Sequence, residues 1–165
     1  MAVGVHLVAM LAAGTLGCGG AKSRTAAGAD LEGFVCNDRR VEYAVVGGFV
    51  AAEAGITVDC INDNPKLSRW RVDGDSGERT DITHRLGGGQ FEDLWTKIDS
   101  SGWRFLEQDC DNPEAADDDP VYSIEIGDHA TSVTLTCSGK ELIFPYNRII
   151  NELDLLSAGL GDGDN

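Results

Sequence analysis

The sequence predicts a single α+β domain, in which a largely antiparallel sheet of five to six strands carries two helices packed on one face. Strand-like runs come first, and an amphipathic helix, a hairpin and a second amphipathic helix follow. A chain of 165 residues has room for one domain with a core and not for two. We expect the domain to span residues 31–157.

Four strand-like segments precede the first helix. They are rich in β-branched or aromatic residues, or alternate polar and apolar side chains. In the third, Trp70 and Val72 alternate with Arg69 and Arg71. The acidic stretch "DGDSGE" between the third and fourth segments is a turn signal. The predicted strands are residues 41–46, 55–61, 68–72 and 80–86.

The helices are predicted from apolar residues at helical spacing. The first stripe ends at Ser100-Ser101-Gly102, and an apolar segment that we expect to cap the core follows. Strands at Val121–Gly127 and residues 131–137 predict a hairpin, and Pro145 suits the first turn of the second helix. The first stripe is Phe91, Leu94, Trp95 and Ile98, the capping segment is Trp103, Phe105 and Leu106, and the second stripe is Tyr146, Ile149, Ile150, Leu153 and Leu156.

The N-terminus is typical of an export signal. Residues 1–17 contain no Lys, Arg, Asp or Glu, and their apolar block is too short to span a bilayer as a helix. Cys18 follows Gly17 directly, as in bacterial lipoprotein signals, so we expect a lipid such as palmitate on Cys18. Ordinary secretion and a retained apolar helix are the alternatives. Residues 18–30 are predicted to be a flexible tether and residues 158–165 a disordered tail.

Cysteine usage agrees with export. Apart from Cys18, the chain has four cysteines, and none are spaced as C-x-x-C, which argues against zinc and redox sites. In an oxidising compartment they predict two disulfides, for which three pairings exist. A hairpin over residues 41–61 would return Cys36 towards Cys60, and the later elements would bring Cys110 towards Cys137. We favour these two pairs.

The charge limits the possible partners. The formal net charge is -15, which repels nucleic acid and anionic headgroups and attracts a basic partner or a divalent cation. The loop 109–120, "DCDNPEAADDDP", has enough carboxylates to be considered for calcium. A solvated acidic loop explains the same residues, and we assign no metal ligand and no cofactor.

Signals for catalysis are scarce. His84 lies near Asp81, and His129 lies in the turn "GDHAT", but no nucleophile in a G-x-S-x-G setting accompanies either. No H-E-x-x-H, Walker or G-x-G-x-x-G motif is present. We therefore expect a protein that is not an enzyme.

The stretch "YAVVGGFVAAEAG" raises the main functional question. Its glycines either form a turn or bulge with Phe49 folded onto the core, or they shape an exposed hairpin tip with Phe49 as an aromatic anchor. On the second interpretation, the candidate partner-binding residues are Val46, Gly47, Gly48 and Phe49.

The order of these motifs resembles the emfourin family, small bacterial proteins that inhibit thermolysin-like metalloproteases. The resemblance covers about residues 41–156 and rests on "GGF", "QFEDLWTKI", "VYSIEIGDHATSVTL" and "RIINEL". It implies an α+β inhibitor-like domain. The stretch "VAAEAG" is longer than the family's usual turn, and no inhibitory residue is carried over.

These observations predict a lipid-anchored binding domain of the cell envelope, in the outer membrane if the host is Gram-negative. The alternative to the anchored form is a secreted protein. Its expected partner is an envelope or extracellular protein, with a metalloprotease as the candidate target. The alternative is a calcium-binding structural or adhesion module.

Overall fold

A computed structural model describes residues 34–47, 53–105 and 107–159. Its strands form one six-stranded antiparallel sheet in the order β4-β3-β2-β1-β5-β6. The α+β prediction is confirmed. The elements are β1 (Arg40–Val46), β2 (Glu53–Ile61), β3 (Asn64–Val72), β4 (Arg79–Arg85), α1 (Gly88–Ser100), a 3-10 helix (Trp103–Phe105), β5 (Val121–Gly127), β6 (Ser132–Ser138) and α2 (Tyr146–Ala158).

Strand β3 begins earlier than predicted because a two-residue turn joins it to β2. Asn62 and Asp63 both have positive φ, 52° and 54°, as the tightest hairpin turns require. Pro65 is accommodated in β3 opposite Cys60, and its carbonyl accepts a hydrogen bond from the Leu86 N–H at 2.9 Å. Proline has no N–H to donate back to the Leu86 carbonyl, and it is tolerated there because it lies at the start of β3, where the ladder with β4 ends.

The core lies between one face of the sheet and the two helices. Val41, Val58, Leu67 and Ile126 occupy one row across four strands on this face, and each is fully buried. The predicted helical stripes supply the other side of the core, which confirms them. Buried in α1 are Phe91, Leu94, Trp95 and Ile98, and buried in α2 are Tyr146, Ile149 and Leu153.

The capping segment after α1 is only partly as predicted. Trp103 is fully buried, with its ring edge-on to Trp95 at a centroid distance of 6.5 Å, and its indole N–H donates to Asp99. Phe105 is 89% exposed, so its predicted core role is wrong. A 3-10 helix turns about 120° per residue, so positions i and i+2 point in different directions. Leu106 lies outside the described residues.

The two disulfides of the structure join the cysteine pairs that we favoured from the sequence. Cys36 bonds to Cys60 with a Cα–Cα separation of 5.5 Å, and Cys110 bonds to Cys137 at 4.6 Å. The first pair holds the segment before β1 against the β2–β3 turn, where the Cys36 N–H also donates to Asp63 at 2.8 Å. The second pair holds the acidic loop against β6.

Candidate functional site

The described part of the hairpin tip lies at one end of the sheet. Val46 is the last residue of β1, pairs with Glu53 and Val121, and is 37% exposed. Gly47 follows with a φ of 82°, a conformation that glycine adopts without steric cost. Gly48 and Phe49, the other two predicted contact residues, lie outside the described residues.

The acidic loop packs beside this tip. A Cβ added at Gly47 would lie 3.6 Å from the backbone oxygen of Asp119. Gly47 and the acidic loop, which the sequence singled out separately, are therefore neighbours. The hairpin tip and the loop meet because β1 pairs with β5, whose first residue follows the loop directly.

Several polar groups of the loop 109–120 form hydrogen bonds that hold the loop's own conformation. Asp119 accepts a hydrogen bond from the Ala116 N–H at 2.9 Å, and Asp109 accepts one from the Asp111 N–H at 3.0 Å. The Lys140 ammonium donates to the backbone carbonyl of Asp111 at 2.5 Å. Across the described ranges, no group of three or more His, Cys, Asp or Glu side chains is arranged to hold a metal ion.

An open groove of about 530 Å³ lies on the helix-bearing face at the same end of the sheet. Its floor consists of two rows of side chains that cross four strands. The row nearer the helices is Tyr43, Ile56, Arg69 and Ile82. The row nearer the hairpin tip is Val45, Ala54, Arg71 and Thr80.

The groove exists because the helices cover only part of the sheet. The next row towards the other end, through Val58 and Leu67, is fully buried in the core. In the groove, by contrast, Ile82 is 36% exposed and both arginines are exposed. Asp154, near the end of α2, borders the groove. Apolar surface and charged groups are thus presented together on a concave floor.

The charged groups of the groove are of both signs. Neither Arg69 nor Arg71 forms a salt bridge with another described residue. Burial raises the pKa of Tyr43 to about 12, and the charges of Tyr122, Asp154 and Glu141 act in the same direction. Tyr43 therefore keeps its hydroxyl proton at alkaline pH values where an exposed tyrosine ionises.

The opposite face of the sheet carries no helix among the described elements and is organised around Trp70. The Trp70 indole N–H donates to Thr57 Oγ1 at 3.2 Å, and that hydroxyl donates to Glu42 at 3.1 Å. The Arg79 guanidinium lies 4.5 Å from the Trp70 ring centroid and forms a salt bridge with Asp81. Trp70 is only 7% exposed as a result.

The two histidines considered from the sequence lie on different parts of the fold, His84 on β4 and His129 in the turn between β5 and β6. His84 is exposed on β4, and it lies on the helix-bearing face, whereas Asp81 lies on the opposite face. The His129 N–H donates to the Asn37 carbonyl at 3.1 Å, in the β5–β6 turn.

The predicted lipid attachment site, Cys18, lies outside the described residues. Within the described ranges, neither helix has the length and apolarity needed to cross a bilayer.

The sequence analysis did not identify several apolar residues that lie on the surface. Val45 and Ile82 were assigned to strands without a surface role, because the depth of helix cover on a sheet is not visible in a local pattern. Ile143 and Phe144, 60% and 70% exposed, lie in the segment before α2. Adjacent apolar residues outside the helical stripe were the signal that could have identified them.

Comparisons with known proteins add no family to this description. No protein-family model matches the sequence, and no curated protein matches it either. What the fold and the groove define is a small disulfide-bonded α+β domain with an open, partly apolar groove at one end of its sheet.

Proposed function

We propose that this protein is a non-enzymatic binding domain of the cell envelope, which is anchored through a lipid on Cys18 and binds another protein at the hairpin end of its sheet. The observation that carries the proposal is the continuity of groove and tip. Val45 and Ala54 line the groove and lie on the two strands that the tip connects. A partner that contacted Phe49 would therefore also reach an open apolar floor.

The composition of this surface suits protein recognition. Val45 and Ile82 supply apolar area, while Tyr43 and the two arginines supply directional donors. Tyrosine and arginine are enriched among the residues that dominate binding energy at interfaces. Two disulfides reduce the entropy that such a surface would lose on binding.

A metalloprotease of the envelope or extracellular space is our candidate target. Its support is the resemblance to emfourins in the order of the elements. An inhibitor acts by occupying a cleft with a preorganised surface, and a glycine-containing hairpin tip held between strands and a bridged loop has that character.

The test of the binding role is capture of partners from envelope extracts by the mature protein. We expect Phe49→Ala to weaken capture at least about tenfold, as loss of a central aromatic anchor does, while the thermal midpoint is unchanged. Phe105→Ala is the matched control, because Phe105 is an exposed aromatic whose neighbour Arg104 forms a salt bridge with Asp128, in the β5–β6 turn at the opposite end of the sheet. A sharp fall in the midpoint of Phe49→Ala would instead place Phe49 in the core.

The inhibitor role has a separate test. The mature protein should slow peptide hydrolysis by a purified thermolysin-like protease, and Phe49→Ala should slow it less. Undiminished hydrolysis at a large molar excess would remove the protease as a target class and leave the binding role standing.

The anchor is tested by mass spectrometry of the mature protein. We expect a mass that begins at Cys18 and includes acyl chains, and we expect Cys18→Ala to release the protein from membranes. Recovery of an intact leader with an unmodified Cys18 would refute the anchor.

A further inference from the structure

Strand β4 is an unpaired edge of the sheet. It pairs with β3 on one side, and no described strand pairs with its other side. All seven of its residues, "RTDITHR", are exposed. An exposed edge strand offers backbone donors and acceptors to another extended chain, and proteins normally protect such edges from unintended pairing.

Hydrogen bonds at both ends of the β3–β4 ladder define which β4 groups face outwards. The Asp73 N–H donates to the Glu78 carbonyl, and the Leu86 N–H donates to the Pro65 carbonyl, both at 2.9 Å. Paired residues in an antiparallel ladder alternate between bonded and non-bonded pairs. The N–H and C=O groups of Asp81 and Thr83 therefore point away from β3.

The two strands at this edge carry a net positive charge in a strongly acidic protein, although the turn between them is acidic. Strands β3 and β4 contain five Lys or Arg residues and one Asp, although the whole chain has a net charge of -15. The one acid, Asp81, is neutralised by its salt bridge to Arg79. Arg85, Arg69 and Arg71 form no salt bridge with another described residue.

The two faces of the edge differ in a way that defines a ligand. Arg79 and Arg85 lie on the helix-free face of β4. Ile82 lies on the other face, where it forms one side of the groove beside Arg69. A strand added to β4 would place alternate side chains against the two arginines and against Ile82.

We propose that β4 binds an extended acidic segment of a partner protein as a seventh strand, with an acidic side chain towards Arg85, which forms no salt bridge with another described residue, and apolar side chains towards Ile82. This proposal rests on the proposed function, since it assumes a binding domain, and it names the chemistry of the partner. Backbone hydrogen bonds to Asp81 and Thr83 would hold the segment, and alternate side chains would select it.

The same charges disfavour a second copy of this chain. Two β4 strands paired antiparallel and centred on Ile82 would place Arg79 opposite Arg85 twice. Like charges directly opposite each other on adjacent strands are destabilising.

The test uses a display library of random eight-residue peptides against the mature protein. We expect the selected peptides to alternate Asp or Glu with apolar residues and to bind less tightly as salt is raised. Selection of basic or uncharged peptides, or of no family, overturns the proposal. A concentration-dependent dimer that blocks peptide binding would assign the edge to a second copy and also overturns it.

Two pairs of variants locate the binding. Thr83→Pro removes an outward N–H and should weaken a selected peptide about tenfold or more, whereas Thr83→Val keeps that N–H and loses only the hydroxyl contact with Ser68. Arg85→Gln should weaken binding about threefold, and Arg148→Gln, an exposed arginine on α2, should not. Equal effects within either pair overturn the proposal.

Failure here is distinguishable from failure of the proposed function. If Thr83→Pro still captures the partner that the wild type captures, and Phe49→Ala does not, the binding role stands and the edge is not its site. If acidic peptides bind at β4 while no partner is captured from envelope extracts, the edge assignment stands and the envelope-binding role fails.

Discussion

The indole ring of Trp70 lies directly over Gly55. A Cβ added at Gly55 would be 2.5 Å from Cζ2 of that ring and 2.5 Å from the backbone oxygen of Tyr43. The two residues are direct cross-strand neighbours on β2 and β3. Because glycine has no side chain, the ring can lie flat against the sheet, and its polar edge reaches Thr57.

Gly55→Ala should destabilise the protein by about 2 kcal/mol or more, because both contacts are too short for the ring and the neighbouring strand to remain in place. The measurement is urea unfolding followed by tryptophan fluorescence. Gly127→Ala is the control, since a Cβ there meets its nearest neighbour at 3.5 Å, an ordinary contact. Equal stability of the two variants would mean that the Trp70 ring does not lie over Gly55.

Removing the bridge between Cys36 and Cys60 should cost about 3 kcal/mol, because it restores chain entropy to an unfolded state with a cross-linked separation of 24 residues. The double variant Cys36→Ala/Cys60→Ala tests this by chemical unfolding. The Cys110–Cys137 pair, with a separation of 27, should show a cost of similar size. Peptide mapping of the unreduced wild type must give these two linkages, and any other pairing contradicts the structure.

Asp128 should make the folded state sensitive to acid. Burial opposes ionisation of its carboxylate, but hydrogen bonds from Arg104 and from the Ala130 and Thr131 N–H groups outweigh burial and lower its pKa to about 2. Since the folded-state pKa is below the unfolded one, this stabilisation is complete above pH about 4 and is lost as the pH falls through about 2.

Asp128→Asn should therefore lower the free energy of unfolding at neutral pH and flatten its decline between pH 4 and pH 2. Urea unfolding at a series of pH values measures both effects. Asp75→Asn, at an exposed turn, provides the matched control. An unchanged acid slope in Asp128→Asn would show that other carboxylates cause the acid sensitivity.

The phenol of Tyr43 should ionise at a higher pH than the phenol of an exposed tyrosine. Burial raises its pKa to about 12, so the folded protein keeps this phenol protonated where an unfolded chain would ionise it. Because the pKa of Tyr43 is higher in the folded state than in the unfolded state, its contribution to stability is complete below pH about 10 and is lost as the pH rises through about 12. Ultraviolet absorbance of phenolate should show a late component that Tyr43→Phe removes. A titration that is identical in Tyr43→Phe would place Tyr43 in water.

Much of the fold could be predicted from local patterns. Val121–Gly127 was predicted with its bounds, and the apolar stripe from Phe91 to Ile98 identified α1, because a period of two or 3.6 residues reflects burial on one face of an element. The early start of β3 was missed because it depends on two consecutive residues with positive φ, Asn62 and Asp63. Phe105 was misassigned because apolar character does not tell which side of a single 3-10 turn faces the core.

The candidate site was predicted only in part. The glycine pair and the acidic loop were recognised as unusual, but the proximity of Gly47 to the loop follows from the pairing of β1 with β5.

By itself, the sequence determined the class of the fold, the order of its elements and the residues that the helices bury, since each follows from the chemistry of neighbours within a few positions. Only the tertiary structure decided that Tyr43, Ile56 and Arg69 form one row, that the helices leave the Arg69 end of this row uncovered, and that β4 is an edge. Strand order and register join residues far apart in the chain, and no local periodicity encodes them.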